Sequence, residues 1–247
     1  MDFGSMLSES FGYAKDSVWG NAKRWVLLLV SLIIFPFILG YIVRIYRGAK
    51  PAPELEQWGS LFVDGLKLFV IQIIYALPVI LLLIAAFLPV FSSLMAAGIV
   101  TQDTSVMTDE QIEQLLVANP DIMSSLGTMV LLLLLAIVLG ILIGIFSFTG
   151  LVRFSRTGSI GEAFNFSAIL ATIRKIGWIN YLIALIVLFV VTIFVTILFE
   201  GIMIIPFLGI IIWFFVYPPF IIFVARYTCL VYETAEGTGA AVPAATL

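Results

Sequence analysis

The chain has 247 residues, of which 62% are hydrophobic and 11% are charged, and its formal net charge at pH 7 is -3. A soluble domain is about half apolar and roughly a quarter charged, so the composition and the mean hydropathy of +1.20 exclude a water-soluble fold. The lack of histidine and the single cysteine, Cys229, exclude histidine-ligated metal and haem sites, a Ser-His-Asp triad and an intrachain disulfide.

Five apolar blocks follow one another along the chain, at residues 25–43, 68–100, 128–152, 178–199 and 202–224. About 20 residues, at 1.5 Å per residue, cross roughly 30 Å of hydrocarbon. The last four blocks reach that length, which predicts an all-α integral membrane helical bundle with four full spans. The first block is the shortest and contains Pro36 and Gly40. We predict that it forms a Pro-broken, half-spanning or re-entrant hairpin, and one ordinary crossing is the alternative.

Charged residues are distributed unevenly around these blocks. All 12 lysines and arginines lie outside them, and the loop 101–127 carries only acidic charges. The positive-inside rule predicts a multi-pass protein of the cell membrane, with loop 101–127 extracytoplasmic and with loop 153–177 and the C-terminus cytoplasmic. A re-entrant first block places every basic residue in the cytoplasm, whereas a single crossing leaves one basic flank outside. Residues 1–235 are predicted to form one polytopic domain, followed by a flexible tail at 236–247.

A weak internal repeat runs through the chain. The stretch from Pro36 to Gly40 resembles the stretch from Pro206 to Gly209, and each interrupts an apolar segment. Broken helices at matching positions are typical of duplicated transporters, and the alternative is that such pairs recur by chance in apolar sequence. The four residues are predicted helix-break positions.

Segments 36–44, 61–66, 74–78 and 157–165 resemble an uncharacterised family of polytopic membrane proteins that is common in archaea and is catalogued as a domain of unknown function. The resemblance covers roughly residues 10–232. It implies a helical membrane fold with cytoplasmic connecting helices, and it implies no activity. Loop 101–127 is an insertion relative to this pattern.

Three basic, tryptophan-bearing segments, 11–25, 58–67 and 159–178, are predicted to form amphipathic helices at the cytoplasmic surface of the membrane. Ser159 and Glu162 have the spacing of a capping box, and Asp64 can pair with Lys67 on one helix face. Basic interfacial helices suit anionic lipid headgroups, and plain connectors are the alternative. The predicted contacts to headgroups or phosphate are Arg44, Arg47, Arg153, Arg156, Arg174, Lys175 and Arg226.

Two further motifs concern helices. Gly140 and Gly144 form a GxxxG pair, followed by Gly150, and predict close helix packing within the chain or with a second copy. Thr108 and Gln111 predict a capped helix in the acidic loop that ends by residue 119.

The sequence indicates the function of the protein less clearly than its fold. No nucleophile–base pair or metal-ligand spacing is visible, so an enzyme is not expected, and no cofactor and no nucleic-acid partner are expected. The sequence favours a non-catalytic scaffold, accessory subunit or lipid-organising module, with membrane lipids and a homo-oligomer or membrane complex as partners. The alternative is a small-solute or lipid transporter with a cytoplasmic arginine vestibule and a cavity lined by polar residues: Gln72, Tyr75, Asn180 and Thr192.

Overall fold

The computed structural model describes residues 1–99, 108–205 and 207–237. These residues are helical and contain no strand. Part of loop 101–127, the helix-break position Pro206 and most of the tail lie outside the described residues. The helices of the described part are α1 Phe3–Val18, α2 Ala22–Ile33, α3 Phe35–Tyr46, α4 Trp58–Ala96, α5 Asp109–Ala118, α6 Pro120–Thr157, α7 Ile160–Ala163, α8 Phe166–Ile176, α9 Trp178–Met203 and α10 Leu208–Glu236.

Four of these helices, α4, α6, α9 and α10, are long and apolar enough to cross a membrane. They confirm four long apolar helices at the predicted positions, each able to span a membrane, and indicate a multi-pass membrane protein. All four extend beyond their apolar blocks. The segment 58–67 is the first part of α4 and continues directly into the span, and α6 includes the last residues of the predicted acidic loop.

The first apolar block folds into two helices of 12 residues each, α2 and α3. Each is about 18 Å long at 1.5 Å per residue, well short of the roughly 30 Å of hydrocarbon. The helices are separated at Ile34, before the predicted break. Pro36 lies in the first turn of α3, where its missing N–H costs no intrahelical hydrogen bond. Gly40 is therefore an interior residue of α3 and not a break position.

The outer ends of α2 and α3 meet at one residue. The side chain of Arg24, at the start of α2, pairs with the carboxylate of Glu54. From the end of α3, Arg44 Nη1 donates to the main-chain oxygen of Glu54 at 2.9 Å. The opposite end of the helix pair exposes apolar side chains, with Ile33 at 73% and Phe35 at 46% exposed. The chain therefore reverses direction between α2 and α3.

Helices α3 and α4 approach each other through two glycines. A Cβ added to Gly65 would lie 1.7 Å from the main-chain oxygen of Pro36, and one added to Gly40 would lie 1.9 Å from the main-chain oxygen of Leu61. Main-chain atoms cannot move aside as flexible side chains do, so this crossing requires glycine at both positions.

The chain divides into two compact units, Ile73–Gly144 and a larger unit formed by Met1–Gln72 with Ile145–Leu247. In the smaller unit, Ala86 and Ala136 are buried. An added Cβ at Gly140 would meet only Val79, at 4.0 Å, and one at Gly144 would meet nothing described within 4 Å. Gly150 is buried in the larger unit. Packing of the GxxxG pair against a second copy stays a prediction.

Helix α10 is the centre of the larger unit. Its 29 residues are about 44 Å long, more than one crossing requires. Residues 225–232 are all buried, and α1, α3, α8 and α9 pack around α10. From α1, the side chains of Met6, Ala14 and Val18 are buried. The end of α10 is thus enclosed by protein, with α1 covering it.

The capping box predicted at Ser159 does not form. The Ser159 side chain makes no cap hydrogen bond, because Glu162 instead pairs with Arg153 and accepts from Asn165 Nδ2 at 3.0 Å. A bond between the Glu162 carboxylate and a guanidinium joins two opposite charges, whereas a bond to a backbone amide has only one charged partner. Asn165 caps α8 by accepting from the Ala168 amide at 3.2 Å.

By contrast, the capping box of α5 is confirmed. The Thr108 amide donates to Gln111 Oε1 at 2.9 Å, and the Gln111 amide donates to Thr108 Oγ1 at 3.4 Å. The helix ends at Asn119, as predicted.

Candidate functional site

A buried arginine joins the N-terminal helix to the last helix. The Arg226 side chain is 0% exposed, and its Nη2 donates to Glu9 Oε1 at 2.7 Å and lies 3.5 Å from Glu233 Oε2. Its guanidinium carbon also lies over the Tyr13 ring, 5.4 Å from the centroid. A buried charge is costly unless it is paired, so Arg226 is held by two carboxylates and one aromatic face.

A second arginine, Arg156 at the end of α6, extends this network. Its Nη2 lies 3.1 Å from Glu233 Oε1, so Glu233 binds both Arg156 and Arg226. Its Nε donates to the main-chain oxygen of Tyr46 at 2.6 Å. The end of α6 is thereby tied to both α3 and α10.

Arg47 makes the reciprocal contact from α3 to α6. Its Nε donates to the main-chain oxygen of Ser155 at 3.1 Å, and its Nη2 pairs with Asp64 at 2.8 Å. The predicted pair between Asp64 and Lys67 is therefore replaced by a pair between helices. We call Glu9, Arg47, Asp64, Arg156, Arg226 and Glu233 the ion-pair network.

The other predicted headgroup contacts fall into two groups. Arg44 binds the main-chain oxygens of Glu54 and Glu56, and Arg153 pairs with Glu162. Arg174 and Lys175, at the end of α8, are exposed and form no ion pair within the described part of the chain. Of the seven predicted cations, the structure brings Arg156 and Arg226 together at a shared carboxylate and leaves the α8 pair on the surface.

The two carboxylates that bind Arg226 were not predicted from the sequence. Glu233 follows Arg226 by seven residues, which places both on one face of α10, and this spacing could have indicated the pair. Glu9 lies 217 residues from Arg226, and no local pattern connects them. The single cysteine, Cys229, also lies at the ion-pair network: it is buried, with Sγ 3.3 Å from Glu233 Oε1.

The polar residues predicted to line a transport cavity differ in their exposure. Gln72 is exposed on α4, and Asn180 and Thr192 are half-buried on α9, whereas Tyr75 is buried in the smaller unit. Tyr181, which was not predicted, donates to the main-chain oxygen of Ile145 at 2.5 Å and accepts from Thr149 at 3.0 Å. This tyrosine joins α9 to α6.

We expect the docking of α1 to depend on pH through Glu9. Burial opposes ionisation of Glu9, but hydrogen bonds from Lys50 and Arg226 outweigh it and lower the pKa of the carboxyl below its ordinary value. A carboxylate with a depressed pKa stabilises the fold above its unfolded pKa, near 4.5, and that stabilisation is lost as the pH falls through the folded pKa. Hydrogen exchange measured against pH should show α1 losing protection in this acidic range. In Glu9→Gln the profile should be flatter, and an identical profile would contradict this role.

Residues 25–212 match the sequence model of a family described as "Protein of unknown function (DUF4013)". The match covers well over half of the chain and leaves α1 and most of α10 outside. No curated protein and no solved structure matches the chain.

Proposed function

Because the chain belongs to the DUF4013 family of proteins of unknown function, we propose a function from its geometry: a non-catalytic membrane protein that organises lipids and partner membrane proteins. The ion-pair network connects α1, α3, α4, α6 and α10 within the larger unit. The sides of the spans remain available to other molecules of the membrane.

Helix α9 supplies the observation that carries this proposal. It is a candidate span of 26 residues, and only 6% of its most apolar stretch of 18 residues is buried. Its buried residues are Tyr181 and Ala184, both in its first third. An apolar helix that contacts so little of its own chain offers most of its surface to lipid or to another membrane protein.

The first apolar block is best explained as a re-entrant hairpin. The shared contact of Arg24 and Arg44 with Glu54 supports a position of both hairpin ends at one side of the membrane. The exposed apolar tip at Ile33 and Phe35 suits insertion into hydrocarbon. This arrangement places all basic residues and the C-terminus in the cytoplasm of a cell-membrane protein. An archaeal distribution, which the resemblance implies, stays a prediction.

Lipid headgroups are the proposed ligands of the cations that the network does not use. Arg174 and Lys175 are exposed beside Trp178, which is 40% exposed, and Lys15 is exposed near Trp19, which is 75% exposed. Basic residues next to tryptophan suit an anionic membrane surface, at about 1 kcal/mol per residue. The apolar side of α8 is buried by protein, so we assign headgroup binding to its charged end.

Purification in native lipid, with mass spectrometry of the intact particle, tests the proposal. We expect an oligomer or a complex with another membrane protein, surrounded by lipid in variable number. A monomer that retains one stoichiometric small solute would contradict the proposal and would favour a transporter.

The same preparation tests the headgroup contacts. Replacing the α8 pair by Arg174→Gln and Lys175→Gln should lower the ratio of anionic to zwitterionic lipid that copurifies. Arg174→Lys with Lys175→Arg keeps both charges and should leave that ratio unchanged. An equal ratio in the wild type and the neutral variant would remove lipid selectivity from the proposal.

A further inference from the structure

A carboxylate that pairs with no cation of the described residues lies at the far end of the α9 span. Glu200 is the only charged residue between Lys175 and Arg226 in the sequence. It lies 22 residues beyond Trp178, or about 33 Å along a straight helix, so it reaches the membrane interface opposite the start of α9. The structure gives Glu200 no ion pair within the described part of the chain.

Glu200 lines a cavity between α9 and α10 whose other walls are mostly aromatic. The cavity has a volume of about 180 Å³. Trp213 and Tyr217 stack on each other within it, with ring centroids 4.5 Å apart and an angle of 19° between the rings. The remaining lining residues are Thr196, Phe199, Met203 and Phe220.

The two helices that form this cavity are held close together at Gly209. A Cβ added there would lie 2.7 Å from the main-chain oxygen of Ile202 and 2.7 Å from the Cα of Met203. Any larger residue would have to separate the end of α9 from the start of α10. This contact lies next to the cavity lining at Met203 and fixes the distance between its walls.

We propose that the cavity lined by Glu200, Trp213 and Tyr217 binds an organic ammonium ion, of the choline or ethanolamine class. Aromatic faces attract cations through their quadrupole, and water-poor aromatic sites are the common solution for quaternary ammonium groups. Glu200 supplies the opposite charge. The volume equals the space of about six water molecules, enough for a nitrogen with three methyl groups but not for an acyl chain.

The alternative of a metal ion fits this cavity poorly. Hard cations such as Ca²⁺ take six to eight oxygen ligands. The lining offers three side chains with oxygen atoms, the Glu200 carboxylate and the Thr196 and Tyr217 hydroxyls, beside apolar rings and a thioether. The chemistry of the walls therefore favours a large, weakly hydrated cation.

Titration calorimetry with choline chloride tests the site on the full chain in nanodiscs of phosphatidylglycerol, which contain no ammonium headgroup. The wild type should show saturable binding. Glu200→Gln, which keeps the side-chain shape, should weaken it at least tenfold, and Trp213→Leu should weaken it more than Trp213→Phe. Glu113→Gln removes an exposed carboxylate from α5, outside the cavity, and should change nothing. Absence of saturable binding, or equal affinity in the wild type and Glu200→Gln, would overturn the proposal.

The source of the cation is distinguished by repeating the titration in nanodiscs of phosphatidylcholine. Weaker choline binding there would show that lipid headgroups occupy the cavity, and unchanged binding would identify a free cation as its ligand. Both results support an ammonium site. Because the number of protein chains in the native-lipid particle does not depend on this cavity, the proposed scaffold function can fail while the ammonium site holds, or the reverse.

Discussion

Replacing Gly65 by alanine should destabilise the protein by about 3 kcal/mol, the upper end of the range for overpacking. The new Cβ would lie 1.7 Å from the Pro36 oxygen and 2.7 Å from the Gly40 amide nitrogen. Both are main-chain atoms, so α3 and α4 must separate. We expect the thermal unfolding midpoint in detergent to fall by roughly 10 °C. Separation of α3 from α4 should also expose the α2–α3 hairpin to protease.

Gly59→Ala is the matched control on the same helix. A Cβ at Gly59 meets no described atom within 4 Å, and alanine is the better helix former by up to about 1 kcal/mol. This variant should be neutral or slightly stabilised. Equal effects of the two substitutions would show that the close crossing of α3 and α4 does not form.

Removing both carboxylates that pair with Arg226 should cause the second large loss of stability. Glu9→Gln combined with Glu233→Gln leaves a guanidinium that is 0% exposed without an ionised partner. Breaking a buried pair in this way costs about 3–5 kcal/mol. Chemical unfolding should show this loss in the free energy of unfolding. Hydrogen exchange should show reduced protection of the α1 amides, because α1 no longer packs against α10.

Arg226→Met provides the contrast. It removes the buried charge itself, and Glu9 and Glu233 keep Lys50 and Arg156 as partners. Hydrophobic replacement of a buried charge often changes the free energy of unfolding very little. The stability of this variant should therefore be much closer to that of the wild type than the stability of the double variant is. The opposite order would contradict the role of Arg226 as a buried charge that depends on its partners. Asp16→Asn, at an exposed position of α1 that forms no ion pair with the described residues, should have no effect in either measurement.

The parts of the fold that sequence predicted are those determined locally. Four spans follow from runs of apolar residues, and the α5 cap follows from two residues three positions apart. The break between α2 and α3 lies at Ile34 because proline fits the first turn of the next helix. A proline in the sequence therefore indicates that a helix break is near, but the break need not lie at the proline itself.

The parts that sequence missed depend on contacts between distant residues. Ser159 and Glu162 have the spacing of a capping box, but Arg153 binds Glu162 from the end of α6. Gly40 and Gly65 are two of 19 glycines, and only the crossing of α3 and α4 distinguishes them. The five predicted headgroup arginines outside α8 bind carboxylates or carbonyls of their own chain, because the helix ends bring these acceptors within reach.

The position of the N-terminal helix relative to the acidic loop tests the account most directly. In a Cys229→Ala background, Ser8→Cys places a thiol on an exposed position of α1, and Gln114→Cys places one on an exposed position of α5. An impermeant maleimide added to intact cells should label Gln114→Cys and should label Ser8→Cys only after permeabilisation. Labelling of both positions in intact cells would show that the first apolar block crosses the membrane, and the re-entrant hairpin would be wrong.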